Sequence, residues 1–113
     1  MAAFRPHERI RRRAEFQRVY ERGARIYGRY STVFVLRNDR GEGRLGIAAT
    51  KKLGGAVHRN RAKRLIREMF RRNKIGSGLD VVVVPKRALL ETTLVVLERD
   101  YRTTLERTLR QRQ

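Results

Sequence analysis

Residues 54–70 read GGAVHRNRAKRLIREMF: two glycines, then cations recurring at helical spacing. Asn60, Arg64, Arg67 and Arg71 follow one another at i, i+4, i+7 and i+11, with Arg61, Lys63 and Arg72 beside them. Residues 59–74 hold eight Lys/Arg and a single acid, Glu68. Solvated helix faces usually mix signs, because like charges at i, i+4 destabilise one another. A row of arginines without compensation suits a different chemistry, the bidentate binding of phosphate by planar guanidinium groups. A helix beginning at Arg59 would add the unsatisfied N–H groups and positive dipole of its first turn, around Arg59, Asn60 and Arg61. Lys51 and Lys52 bring further charge to the preceding loop, and Gly54 and Gly55 let another backbone approach closely.

Acid–base or metal chemistry has less support. His7 and His58 are the two histidines, far apart in the chain, and would have to meet in space to act as a general acid and base. The 11 acids are scattered without paired metal-ligand spacing. Neither a P-loop nor a nucleophile elbow is present. No catalytic residue and no metal ligand is therefore assigned to this chain.

The elements that must position the basic face are legible from periodicity. Arg13–Arg22 reads as a helix with Phe16, Val19 and Tyr20 on one side and Gly23 as its stop. A short strand is possible at Arg25–Gly28. Tyr30–Leu36 reads as a strand, Asn38–Gly43 as a turn and Arg44–Ala49 as a second strand, the two pairing as a hairpin. Lys51–His58 is a loop and Arg59–Asn73 a helix whose Ala62, Leu65, Ile66, Met69 and Phe70 form an apolar stripe. Leu79–Val84 is a continuous apolar run, hence a buried strand ended by Pro85. Leu90 to Leu109 reads as the last helix, with Leu90, Leu94, Leu97, Tyr101, Leu105 and Leu109 on one face. Residues 1–12 read as a flexible basic arm. The predicted fold is an α/β (α+β) two-layer sandwich of three helices and a small mixed sheet.

Composition agrees. At 113 residues the chain is one domain, 1–113, and its net charge of +18 repels itself unless a polyanion neutralises it. The absence of cysteine excludes disulfides and thiolate metal sites and suits a cytoplasmic protein. No apolar run is long enough to span a bilayer, and the N-terminal stretch lacks the apolar core of a signal peptide. Arginine dominance favours nucleic acid over a membrane, because the apolar stripe is most simply buried on the sheet.

The aromatics stay open on the residues alone. Phe16 and Tyr20 lie at i, i+4, and Phe34 shares a strand side with Tyr30, Thr32 and Leu36, opposite Ser31, Val33 and Val35. Either side could be core. The alternative for Phe16, Tyr20 and Phe34 is a cleft whose rings stack on unpaired bases.

Thr50-Lys51-Lys52, Gly54, Ala56-Val57, Arg59-Asn60, Lys63-Arg64 and Arg67-Glu68 together resemble the protein subunit of bacterial ribonuclease P, whose RNR motif corresponds here to Arg59, Asn60 and Arg61. The resemblance extends to Phe16, Val19, Tyr20 and Gly23, to Arg44-Leu45-Gly46 and to the LDVVVVP strand. It departs at Thr50, where the family often has Ser, and at Val84, where an Arg commonly precedes the proline; Lys86 and Arg87 follow it here. The resemblance implies a four-stranded sheet in the order α-β-β-β-α-β-α, a fold shared with domains of a small-subunit ribosomal protein and an elongation factor. It also implies a left-handed βαβ crossover through the basic helix, against the usual rule. It implies a 1:1 complex with a catalytic RNA, docked on Lys51, Lys52, Arg59, Asn60, Arg61, Lys63, Arg64, Arg67 and Arg71. Phe16, Tyr20 and Phe34 would line the groove for the 5′ leader of precursor tRNA. Mg²⁺ would be bound by that RNA, which cleaves the phosphodiester; neither DNA nor membrane is an expected partner. The competing reading is a structural RNA-binding protein of the ribosomal-protein type, with no enzymatic assembly.

Overall fold

The computed structural model describes residues 8–73 and 78–111, with side chains as far as residue 108. His7 and Lys74, and the side chain of Leu109, lie outside the described residues. Helix α1 (Arg13–Arg22) leads into strands β1 (Ala24–Tyr27), β2 (Ser31–Arg37) and β3 (Arg44–Ile47), then helix α2 (Ala56–Arg72), strand β4 (Leu79–Pro85) and helix α3 (Leu94–Gln111). Three helices and a four-stranded mixed sheet occur in the expected order. The sheet runs β1-β2-β4-β3, with β1–β2 and β2–β4 antiparallel and β3–β4 parallel.

That topology corrects the expected hairpin between β2 and β3, because β4 lies between them. The reason is the composition of β4. Val81, Val82 and Val83 are apolar on both sides, so the strand needs cover on both faces, and here it also has a paired neighbour on each edge. The two sides of β2 are both core. Val33, Val35, Val81 and Val83 join α2 and α3 in the larger cluster, while Phe34 and Val82 join Val19 of α1 and Ile10 in a smaller one. Strand alternation therefore places α2 and α3 on one face of the sheet and α1 across the other.

Most element ends lie within one or two residues of expectation, and the larger differences each have a local reason. α2 begins at Ala56 rather than Arg59: Gly55 is its cap, and the Arg59 amide donates to the Gly55 carbonyl at 3.0 Å. α3 begins at Leu94 rather than Leu90, because the Thr93 hydroxyl accepts the Val96 amide at 3.3 Å; residues 87–91 form a separate 3-10 turn. The expected arm is also partly ordered. Ile10 is buried, its amide donates to the Leu45 carbonyl at 2.9 Å, and Arg9 bridges Leu45 along the edge of β3. Asn73 closes α2, donating to the Met69 carbonyl at 2.8 Å and accepting from Arg102 Nε of α3 at 2.5 Å.

An ion network ties α1 to the sheet. Arg44 on β3 forks onto Asp80 of β4 through Nε and Nη2, at 2.8 and 2.7 Å, and its Nη1 donates to Glu15 of α1 at 2.6 Å. Asn38 adds a donor to Asp80 at 2.8 Å. Arg44 and Asp80 are buried, at 6% and 2% exposure. Burial pushes the Asp80 carboxyl up, but the hydrogen bonds from Arg44 and Asn38 outweigh it and hold the group below its ordinary value. Arg44 holds Glu15 below its usual value as well.

Depressed carboxyl values stabilise the fold above the unfolded carboxylate range, and that stability is lost as pH falls through the lower folded values. Arg44→Met should cost about 3 to 5 kcal/mol at pH 7, because it strands a buried anion. The deficit should shrink as the pH falls, beginning above the ordinary carboxylate range, because burial without Arg44 favours the protonated form of Asp80 in the variant. Denaturant titrations of both proteins across this range check it; a deficit that does not change with pH would contradict the network's role.

Candidate RNA interface

The apolar stripe of α2 sets its orientation. Ala62, Ile66, Met69 and Phe70 are buried and Leu65 is half-buried against the same core. Asn60, Arg61, Arg64, Arg67 and Arg72 are thereby exposed, with Arg59, Lys63 and Arg71 half-buried. These groups are not equally available. Glu68 ion-pairs with Arg71, whose guanidinium holds that carboxyl below its usual value, and Arg72 reaches Glu98 of α3 at 3.2 Å. Asn60, Arg64 and Arg67 line a hollow of about 470 Å³ together with Glu68, Arg71 and Arg9. Arg9 was missed in the sequence because it belongs to the segment read as an arm; the apolar Ile10 beside it was the available signal.

The start of α2 differs from expectation. With Arg59 already hydrogen-bonded, the first-turn amides belong to residues 55–58, and Arg59, Asn60 and Arg61 emerge one turn later. Gly54 takes φ +130°, and a Cβ there would lie 2.7 Å from the His58 ring, so this turn requires glycine. Lys51 and Lys52 are exposed on a 3-10 turn anchored by buried Leu53. Arg87 Nε donates to the Lys52 carbonyl at 3.3 Å and Lys86 Nζ to the Gly28 carbonyl at 2.6 Å. The two cations after Pro85 thus brace loops. Among the described residues, no three His, Asp or Glu side chains gather in a metal-binding arrangement.

The aromatic trio does come together, on the face of the sheet opposite α2. Phe16 and Tyr20 are half-buried, their ring centroids 6.3 Å apart, and Tyr20 meets Phe34 edge-on at 4.8 Å. Burial pushes the Tyr20 phenol up. Phe34 is 5% exposed and forms the floor of the row. Phe16 reaches β3 because position 46 is glycine: a Cβ at Gly46 would lie 2.8 Å from two of its ring carbons. Phe16 also shares a hollow of about 180 Å³ with Ile10, Leu45, Lys63 and Arg67. The aromatic and basic surfaces therefore meet at the β3 edge.

Residues 4–109 match the family model described as Ribonuclease P. The chain is 46% identical over 81 residues to the ribonuclease P protein component of Syntrophus aciditrophicus, covering 70% of this chain and 68% of that protein. It is 40% identical over 91 residues to that of Thermotoga maritima, covering 79% and 78%. Among solved structures, the T. maritima RNase P protein superposes with a TM-score of 0.79 at 35% identity over 88% of this chain and 96% of that one. The Staphylococcus aureus RNase P protein superposes at 0.77 and 33% identity, covering 89% and 94%. Among the described residues, no helix is long and apolar enough to cross a membrane.

The two surfaces should respond differently to truncation. Phe34→Ala should lower stability by about 3 to 5 kcal/mol, as loss of a buried aromatic does. Arg67→Ala, on an exposed side chain, should leave stability within about 0.5 kcal/mol. Thermal or urea unfolding separates them; a neutral Phe34→Ala would mean that the ring carries no core packing.

Proposed function

The chain belongs to the ribonuclease P protein family, and from that premise we propose how its two surfaces divide the work. Family members form part of the endoribonuclease that processes the 5′ ends of tRNA, and RNA is the partner; a structural protein of the ribosomal type is not favoured. In our reading, 1–113 acts as one RNA-binding domain in the cytoplasm. The outward face of α2 and its leading loop, comprising Lys51, Lys52, Arg59, Asn60, Arg61, Lys63, Arg64, Arg67 and Arg71, dock on the catalytic RNA subunit in a 1:1 complex. The row of Phe16, Tyr20 and Phe34 borders the path of the precursor-tRNA leader, with Phe34 as floor and the more open Phe16 and Tyr20 as walls.

One observation carries this reading: the arginines of α2 point away from the buried Ala62, Ile66, Met69 and Phe70, with Glu68 as the only acid on the helix. Such a face binds phosphate by charge and displaces its condensed counterions. Neutralisation by this protein would let RNA segments approach that otherwise repel one another. The donor set does not fit a resident Mg²⁺, since hard cations take oxygen ligands and the carboxylates here are paired with arginine or scattered. The ion belongs with the RNA subunit, as does cleavage of the phosphodiester.

If the face neutralises about six phosphates, affinity for the RNA subunit should fall with salt at a log–log slope of about 4 to 5 in magnitude. Arg64→Ala and Arg67→Ala should each lower that magnitude by somewhat less than one. Arg71→Ala should lower it less, because Arg71 already pairs with Glu68. Binding titrations over a range of salt concentrations read this directly, and a flat response would mean that the face is merely solvated.

A further inference from the structure

The aromatic row does not end at Phe34. In the β1–β2 ladder Arg25 stands opposite Phe34 and Tyr27 opposite Thr32, so Arg25 and Tyr27 lie on the α1 side of the sheet. The Arg25 guanidinium lies 5.0 Å from the centroid of the Phe34 ring and 5.8 Å from that of Tyr27, and its Nη1 donates to the Tyr27 hydroxyl at 3.0 Å. Flat groups thus succeed one another from Phe16 of α1, whose ring lies over β3, through Tyr20 and Phe34, to Arg25 and Tyr27 on the outer strand.

Exposure runs opposite to what the trio alone suggests. Phe34 is 5% exposed, bordered by Tyr20 on one side and Arg25 on the other. Stacking by a nucleobase needs an open face, and Phe34 offers little of one. Tyr27 is 71% exposed and Arg25 is exposed beside it. A phenol ring and a guanidinium plane, one presenting a π face and the other both a plane and a charge, are the pair that stacks on unpaired bases while holding their phosphates. Arg22 and Arg29, both exposed at the two ends of this stretch, extend the positive charge.

We propose that Arg25 and Tyr27 form an outer stacking step for single-stranded RNA, taking a leader base beyond those beside Phe16 and Tyr20, with Phe34 as the support on which Arg25 lies. The step rests on the reading that the leader follows this face of the sheet.

The test uses the protein reconstituted with its catalytic RNA and three probes: precursor tRNA with a long unstructured leader, the same tRNA with a leader of about two nucleotides, and mature tRNA. Tyr27→Ala should weaken the long-leader complex by about tenfold, the loss of one stacked base, and leave the other two unchanged. Tyr27→Phe should bind like the parent, because the ring and not the hydroxyl does the stacking. The melting temperature of both variants should match the parent, since the side chain is exposed. Unchanged long-leader affinity in Tyr27→Ala, or an equal loss for mature tRNA, overturns the proposal. Tyr20→Leu identifies which idea failed. If it weakens the long-leader complex while Tyr27→Ala does not, only the outer step is wrong. If neither variant does, the leader does not follow this face.

Discussion

Burial of one side of α2 is the constraint on which the rest depends. Ala62, Ile66, Met69 and Phe70 fill the space over Val81 and Val83, and in doing so they leave the arginines nowhere to go but outward. The magnitudes explain why the helix tolerates this. Each large apolar side chain contributes about 1.5 to 3 kcal/mol on burial, whereas like-charge pairs at i, i+4 cost only a few tenths of a kcal/mol each. Packing wins easily, and the self-repulsion that remains is relieved when a polyanion binds. The stripe and the basic face are thus two consequences of one helical period.

The second surface depends on the opposite side of the sheet. α1 is held there by Val19 in the core and by Glu15 on the Arg44–Asp80 pair, and Gly46 leaves room for Phe16 to reach the β3 edge. Arg44 therefore acts indirectly, by fixing the helix that carries Phe16 and Tyr20. Because β3 also leads into the Lys51–Leu53 turn and α2, the same strand positions both surfaces, and they meet at its edge around Phe16, Lys63 and Arg67.

Local patterns were legible in the sequence and non-local ones were not. The stripe of α2, the strand character of residues 79–84 and the face of α1 follow from spacing alone. The pairing of β2 did not: NDRGEG looks like a hairpin turn, but the choice of partner lies with β4, more than forty residues on, whose apolar sides demand the central place. The start of α2 was read late because Ala56, Val57 and His58 carry no capping signal, and the cap is a glycine. On β2 the question of which side is core had no single answer, since helices cover both. Arg25 and Tyr27 were passed over because a four-residue strand is too short for its alternation to be noticed, although ARIY does alternate.

This chain is proposed to place RNA and to leave the chemistry to its RNA partner. Single-turnover cleavage of precursor tRNA by the protein alone, the catalytic RNA alone and the two together tests that most directly. The protein alone should show no cleavage, and the assembly should cleave faster than the RNA alone at low Mg²⁺, where charge neutralisation counts most. Cleavage by the RNA-free protein that disappears in His58→Ala would contradict it.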